Sequence, residues 1–377
     1  MKILLVGEYS RLHNSLKEGL LGLGHEVTLI ATGDLFKKFP ADISLHRKYD
    51  QGLGRKWKIL VFQLTGIDLT SVAMRRQFRK KKELLKGYDV VQLINENPFG
   101  VSVAVEMEII TYLKEHNKKL FLLSCGTDHI SVSYAFQKKF RYSILTPYFD
   151  GKISKAKFAS VLKYLSPKQK AFHEFVFQQI DGVIASDLDY HIPLKGHPSY
   201  LGMIPNPVNV DLLEKVHLKP SEKIVIFQGI NRAVHLKKGG DYFEEALRIL
   251  QKKYSEKIEI ITVENLPYHE YITKYNRAHI VLDQVFAYDQ GYNALEAMAK
   301  GKVVFTGAEK EFKEYYQLQK TVAINALPDA QQIASELEKL ILAPEKIKEI
   351  GQNAIDFIHE HHHYRKIAHR YIEVWQA

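Results

Sequence analysis

Hydrophobic runs and polar gaps divide the chain into alternating short elements. Lys2–Gly7 is a continuous apolar run, the pattern of a strand buried on both faces. Leu12, Leu16, Leu20 and Leu21 then recur on one helical face, with Ser10 as a candidate N-cap and Gly22 and Gly24 as stops. Glu26–Ile30 reads as the second strand. Further strand patterns lie at Trp57–Gln63, Asp89–Ile94, Lys119–Ser124, Gly182–Ala185 and Tyr200–Ile204, with helical patterns between them. Strands that alternate with helices predict a parallel, doubly wound α/β sheet. The pattern restarts after Asn206-Pro207-Val208-Asn209. Lys223–Gln228, Lys257–Val263, His279–Asp283 and Val303–Thr306 read as strands, and Gly240–Lys253, Tyr268–Ala278 and Gly291–Lys300 as helices. Four prolines, Pro198, Pro205, Pro207 and Pro220, mark the boundary between the halves. Tyr364, Ile367, Tyr371, Ile372 and Trp375 anchor a closing helix over Glu360–Ala377.

A length of 377 residues with 46% apolar content suits two domains with separate cores. The single cysteine, Cys125, excludes an intrachain disulfide and fits a reducing, cytoplasmic compartment. MKILLVGEYS has too short an apolar stretch for a signal peptide and reads as a first strand. Val101–Leu113, the best candidate for a membrane span, is broken by Glu106 and Glu108. The net charge of +10 fits an anionic substrate, an anionic membrane surface or simple solubility. It is spread across helices without a helix-turn-helix, zinc-ligand or RNA-binding signature, so nucleic acid is not an expected partner.

Candidate chemistry concentrates in the second half. A strand over His279–Leu282 leads to Gly291, where a helix starts that contains Glu296 and stops at Gly301. A glycine turn feeding a helix N-terminus offers free N–H groups and a favourable dipole to an anion. Glu296, in the first turns, is placed for sugar hydroxyls rather than for phosphate. Together these predict a nucleotide-linked ligand. Gly229-Ile230-Asn231-Arg232 and Lys237-Lys238-Gly239-Gly240 bracket another strand-to-helix loop, and Arg232 with Lys238 suits a diphosphate. A solvated basic loop is the plainer account of those cations; the Gly291–Glu296 element at the same sheet edge favours the ligand.

In the first half, Gly7-Glu8-Tyr9-Ser10 leaves a strand without a GxGxxG pattern, which argues against a tight dinucleotide site. Cys125-Gly126-Thr127-Asp128-His129 and Asn95-Glu96-Asn97-Pro98 end two other strands at the same edge. Asp128 is a candidate base or hydroxyl binder, and His129 a phosphate ligand or a packing residue. Asp187-Leu188-Asp189 follows Ser186 at a helix start and fits capping better than metal binding. His361-His362-His363 reads as a polar face of a helix. No metal site is expected. Two stretches mix basic and apolar residues. One carries Arg75, Arg76, Arg79 and Lys80–Lys82 among Met74, Phe78, Leu84 and Leu85, and the other runs from Tyr134 to Tyr148, with Phe149 nearby. Either is a membrane-surface helix or a solvated helix over its own core.

These residues resemble the retaining glycosyltransferases of GT-B fold found in bacterial capsule, lipopolysaccharide and glycolipid synthesis, over nearly the whole chain. Gly24-His25-Glu26-Val27-Thr28 resembles the family's first helix-to-strand junction, and Ile204–Asn209 its interdomain segment. Gly229, Arg232 and Lys238-Gly239 match its basic loop, and Gly291–Lys302 the end of its E-x7-E motif.

The resemblance implies an acceptor-side domain over residues 1–205, a donor domain over 206–357 and a helix over 358–377 returning to the first domain. It implies a nucleotide-diphosphate sugar, UDP- or GDP-linked, a saccharide or lipid-linked acceptor, no cofactor and no metal. Arg232 and Lys238 would neutralise the diphosphate. Gly229, Gly239, Asp289, Gly291, Tyr292, Asn293, Glu296 and Gly7 would line the donor site, with Ser10, Asn95, Cys125, Asp128 and His129 on the acceptor side. Three positions depart from the pattern. Tyr288 stands where the first motif glutamate belongs, with Asp289 beside it; Cys125 replaces a common histidine; and the Arg232–Lys238 spacing is one residue longer. A nucleotide-sugar epimerase and a non-catalytic scaffold are the rival readings.

Overall fold

A computed structural model of the protein describes residues 1–32, 39–213, 223–264 and 268–377. Pro220, one of the four boundary prolines, lies outside them. The first sheet contains β1 (Lys2–Val6), β2 (Glu26–Ala31), β3 (Ile43–Ser44), β4 (Val90–Leu93), β5 (Lys119–Ser124), β6 (Gly182–Ala185) and β7 (Tyr200–Met203). Its order is β3-β2-β1-β4-β5-β6-β7, with every pairing parallel. The second contains β8 (Ile224–Ile230), β9 (Ile258–Glu264), β10 (Ile280–Leu282), β11 (Val303–Thr306) and β12 (Ile324–Asn325). Its order is β12-β11-β10-β8-β9, again all parallel. Such a sheet must be covered on both faces, which explains why β1, β4, β6 and β11 are almost wholly apolar and buried.

Each sheet reverses its winding direction once, between β1 and β4 in the first and between β8 and β10 in the second. Crevices open beyond the carboxyl ends of the strands at such switch points, and ligands of open α/β sheets bind there. The loops after β1, β4, β8 and β10 flank these switch points.

The final helix, Tyr364–Gln376, completes the first domain. Ile367, Tyr371 and Trp375 share a buried cluster with Ile3, Leu5, Leu12 and Leu16. Trp375 donates its indole N–H to Gln92 Oε1 at 3.0 Å. Close approach to the helix Leu12–Gly22 requires a glycine at position 19, where an added Cβ would lie 2.5 Å from the Tyr364 carbonyl oxygen.

Two expectations fail. Trp57–Gln63 is not a strand but the middle of the helix Gly52–Thr65. A short apolar run does not separate a strand from a helix, whereas the wider spacing of Leu53, Trp57, Leu60 and Leu64 is helical. The triple histidine does not form a polar helical face. It is the junction between the helices Glu345–His361 and Tyr364–Gln376, clasped to Val208. His362 is buried, bonded through Nδ1 to the Asn206 carbonyl oxygen at 2.9 Å, and held neutral by burial, which lowers its pKa to about 3.

Candidate functional site

In the second domain, the loop after β8 ends in Lys238 and Gly239. Gly239 has φ 73°, and a Cβ there would fall 2.5 Å from Val285 Cβ. Only glycine lets this loop press against the segment that follows β10. Val285 N–H donates to the Lys238 carbonyl at 2.7 Å and fixes that register. The Lys238 ammonium bonds Asp283 Oδ1 at 3.0 Å, and Asp283 is itself buried while Lys238 remains accessible. A buried carboxylate thus holds an accessible cation at the switch point. Asp283 Oδ2 is 3.4 Å from Thr306 Oγ1 and would lie 3.6 Å from a Cβ on Gly291.

Gly291 precedes the helix Tyr292–Ala299 and provides no side-chain cap. The Lys238 ammonium and the first turn of that helix therefore both lie against Asp283 at the switch point, and a cation beside free helix N–H groups suits phosphate. Glu296 lies one turn further along. Its charge reinforces the effect of burial on Tyr292, whose phenol is driven well above its usual pKa. Asn293 is exposed on the same helix, and its carbonyl accepts from Tyr275 Oη at 3.4 Å.

Arg232 does not converge with Lys238. Its guanidinium is exposed on the outer rim, bonded to Glu264 at 2.9 Å and to Glu244 at 3.3 Å. Gly229 lies within β8 and packs on Tyr271, whose ring would come within 3.1 Å of a Cβ.

The first domain brings its own switch-point loops to this crevice. Gly7 has φ 89°, and any Cβ would sit 2.3 Å from Ile94 Cγ2, so the loop after β1 can lie on the end of β4 only as glycine. Asn95 Nδ2 donates to Tyr9 Oη at 3.2 Å, tying the two loops together. Ser10 adopts φ 51° at the entry to the helix Leu12–Gly22. Ser15 Oγ, on that helix, meets Tyr292 Oη across the domain boundary at 2.7 Å. Ser15 belongs to a polar group that sequence reading missed. Glu8 accepts from Asn14 N and Nδ2, and His13 Nδ1 bonds the Gly7 carbonyl oxygen at 2.7 Å. Burial depresses the His13 pKa to about 3. The available signal was the run His13-Asn14-Ser15 inside an otherwise leucine-lined helix.

Cys125 is half-buried, next to Gly126 at the end of β5. Asp128 uses both carboxylate oxygens locally. Oδ1 accepts from Ser131 N at 2.7 Å within a capping box, and Oδ2 from Ser124 Oγ at 2.7 Å. It positions the 125–129 loop rather than standing free as a base. His129 is likewise engaged, through Nδ1 with the Tyr164 carbonyl oxygen at 2.8 Å. Beside it, Glu96 and His173 form a buried pair at 2.5 Å. Burial raises the Glu96 pKa to about 6 against the opposing pull of His173.

The segment between β5 and β6 closes one side of the crevice. Arg141 bonds Glu309 at 2.6 Å and Glu311 at 2.7 Å, and Tyr142 bonds Glu309 as well. Lys152 reaches Asp241 at 2.6 Å. Tyr288 is buried here, and its N–H donates to Asp189. Asp289 accepts from Leu188 N at 3.3 Å, so the residue beside Tyr288 faces the domain junction rather than the crevice. Asp187 caps the helix Leu188–Leu194 through Asp189 N. Among the described residues no group of three or more His, Cys, Asp or Glu is arranged to hold a metal ion.

Residues 226–373 match the family model described as Glycosyl transferase-like. No curated protein matches the chain. Solved structures match it over nearly its full length. Sucrose-phosphate synthase from Thermosynechococcus elongatus is 15% identical, with a TM-score of 0.64 over 100% of this chain and 98% of the other. Anabaena HepE, solved in complex with UDP-glucose, is 13% identical, with a TM-score of 0.58 over 100% and 99%. UDP-GlcNAc 2-epimerase from Neisseria meningitidis, bound to UDP-GlcNAc, is 13% identical, with a TM-score of 0.51 over 99% of each. Two parallel-sheet domains with these neighbours make the fold GT-B.

Proposed function

We propose that the protein is a glycosyltransferase that moves a sugar from a nucleoside-diphosphate carrier, UDP or GDP, to a saccharide or lipid-linked hydroxyl. The observation that carries this reading is the convergence of Lys238, buried Asp283 and the uncapped turn at Gly291 on one switch point. The family match over the second domain and the nucleotide-bound neighbours support it.

In the proposed reaction the bond between the anomeric carbon and the diphosphate oxygen breaks as the acceptor oxygen bonds to the same face of that carbon. The acceptor proton passes to the leaving phosphate. Lys238 and the helix N–H groups offset the growing phosphate charge, which assigns to them the role a metal ion would otherwise fill. Glu296 accepts from the ribose hydroxyls. Arg232 reaches phosphate only by exchanging Glu264 and Glu244 for it. The acceptor enters past Gly7–Ser10, Asn95 and Cys125. Retention of configuration and a setting in surface polysaccharide or glycolipid assembly follow from the resemblance noted in the sequence.

One observation favours a second reading, a non-catalytic binding subunit: Tyr288 and Asp289 serve the domain junction where the motif carboxylate would serve the sugar. Incubation with UDP- and GDP-sugars, following release of the nucleoside diphosphate with and without acceptor extracts, separates the two. Turnover that is lost in Lys238→Ala supports the transferase. Nucleotide binding with no release from any donor supports the binding subunit.

A further inference from the structure

The helix Gly52–Thr65 rests on the protein without burying a single residue. Leu53, Trp57, Leu60 and Leu64 form one stripe and are 82%, 57%, 45% and 76% exposed. Ile59, Phe62 and, just beyond the helix, Ile67 are exposed as well, and so is Val72 on the helix Leu69–Lys81. Isolated exposed apolar residues are ordinary on a soluble surface, but a continuous stripe of this kind marks an interaction site.

A polar pin attaches the helix to the body. Lys58 Nζ bonds Asp50 Oδ1 at 2.5 Å and Thr70 Oγ1 at 3.1 Å. Asp50 also accepts from Arg47 Nε at 2.7 Å, and Arg47 donates to the Phe99 and Gly100 carbonyls at 2.6 Å. The apolar stripe is therefore held out from the fold at a fixed place, next to the 95–100 loop of the crevice.

Its charge identifies the occupant. Arg55 and Lys56 lie on the same helix, and Arg76 and Lys80 are exposed on its neighbour. None of the four makes an ion pair with the described residues, whereas Arg75 and Arg79 share the one carboxylate of Glu108. Apolar side chains including a tryptophan, fringed by unpaired cations, suit the boundary between headgroups and acyl chains of an anionic bilayer. The second basic and aromatic stretch, Tyr134–Tyr148, offers less apolar surface: Arg141 and Tyr142 are consumed by the domain junction, and Phe136 alone of its large apolar side chains is exposed.

We propose that the face formed by Gly52–Thr65 and Leu69–Lys81 docks the protein on an anionic lipid bilayer. The proposal stands on this surface alone and does not require the transferase reading. It joins to the basic Arg75–Lys82 stretch, a membrane-surface candidate from the sequence, the helix Gly52–Thr65, in which the sequence pattern reads as a strand over Trp57–Gln63.

Co-sedimentation with vesicles of phosphatidylcholine alone, and of phosphatidylcholine mixed with phosphatidylglycerol, tests it. Trp57 is a built-in reporter, since the only other tryptophan, Trp375, is buried and does not change its surroundings on docking. The expected result is binding to the mixed vesicles only, with a blue shift of Trp57 emission, weakened by salt. The double variant Leu53→Ser/Leu64→Ser removes no buried side chain and retains the reporter. It should bind about tenfold more weakly or worse. Arg76→Ser/Lys80→Ser should also lose about tenfold. Three results overturn the proposal: no binding to the mixed vesicles, equal binding by wild type and the leucine variant, or a wild-type dimer in sedimentation velocity that the leucine variant abolishes while no vesicle binding is seen. The last would assign the face to a second copy of the chain.

Discussion

The Arg141 guanidinium lies over the Tyr288 ring, 4.7 Å from its centroid, and the Arg141 backbone N–H donates to the Tyr288 hydroxyl at 2.8 Å. One residue belongs to each domain. Phe140 packs on the same ring at 4.9 Å. Tyr288 thus works as a peg between the domains at the position where the resemblance calls for a carboxylate at the sugar.

Removing the peg has a predicted cost. Tyr288→Ala should destabilise the protein by about 3 kcal/mol, the range of a buried aromatic truncation. Tyr288→Phe, which loses only the hydroxyl, should cost about 1 kcal/mol. Denaturant unfolding measures both. Nucleotide affinity of the phenylalanine variant should remain that of the wild type.

The two cations of the basic loop should separate in their effects. Lys238 is held at the switch point by buried Asp283, whereas Arg232 is turned to the rim by Glu264 and Glu244. Lys238→Ala should weaken nucleoside-diphosphate binding by about tenfold or more, as loss of a charged hydrogen bond does. Arg232→Ala should cost less than Lys238→Ala. Titration calorimetry on the two variants decides the order.

Gly239→Ala tests the loop without touching a charge. Its φ of 73° and the 2.5 Å approach to Val285 leave no room for a methyl group. Strain and overpacking together should cost about 2–4 kcal/mol in unfolding free energy. Because the loop must move, nucleotide affinity should fall even though Lys238 is intact.

How far the sequence carried these results varies by element. The parallel sheets were legible because β1, β4, β6 and β11 are short apolar runs between helical patterns, and burial on both faces leaves that mark. The helix Gly52–Thr65 was not, because a local run such as Ile59–Phe62 looks the same in a buried strand and on an exposed helix. Lys238, Gly239 and Gly291 were identifiable from glycine placement at strand ends. The engagement of Asp128 with Ser124 and Ser131, and of Asp289 with Leu188, was not, since local capping and contacts across a domain junction have no spacing signature. Arg232 faces the rim because Glu264, far away in sequence, lies at the end of the neighbouring strand.

The domain junction should also respond to pH. Asp289 is buried and Asp187 and Asp189 are half-buried close to it, with Tyr190 and Tyr316 against them and Arg370 close to Tyr316. Burial raises all three carboxyls, Asp189 to about 7 and Asp289 to about 6, although backbone N–H groups pull both back. In the unfolded chain they titrate near ~4. Over that interval the folded protein holds protons that the unfolded chain releases. This contribution to stability therefore falls as pH rises from about 4 to 7 and is lost above that. Denaturant unfolding at a series of pH values should show the decline, and Asp189→Asn should flatten it and be more stable than wild type on the alkaline side.

The proposed function requires that a nucleoside diphosphate bind where Lys238 lies beside the turn at Gly291. Calorimetric titration of UDP, GDP, ADP and CMP into wild type, Lys238→Ala and Glu296→Ala tests it most directly. The expected result is selective binding of UDP or GDP, weakened by about tenfold or more in Lys238→Ala through the phosphate and also weakened in Glu296→Ala through the ribose. Absence of binding by every nucleotide to the wild-type protein, or binding that neither substitution alters, would contradict it.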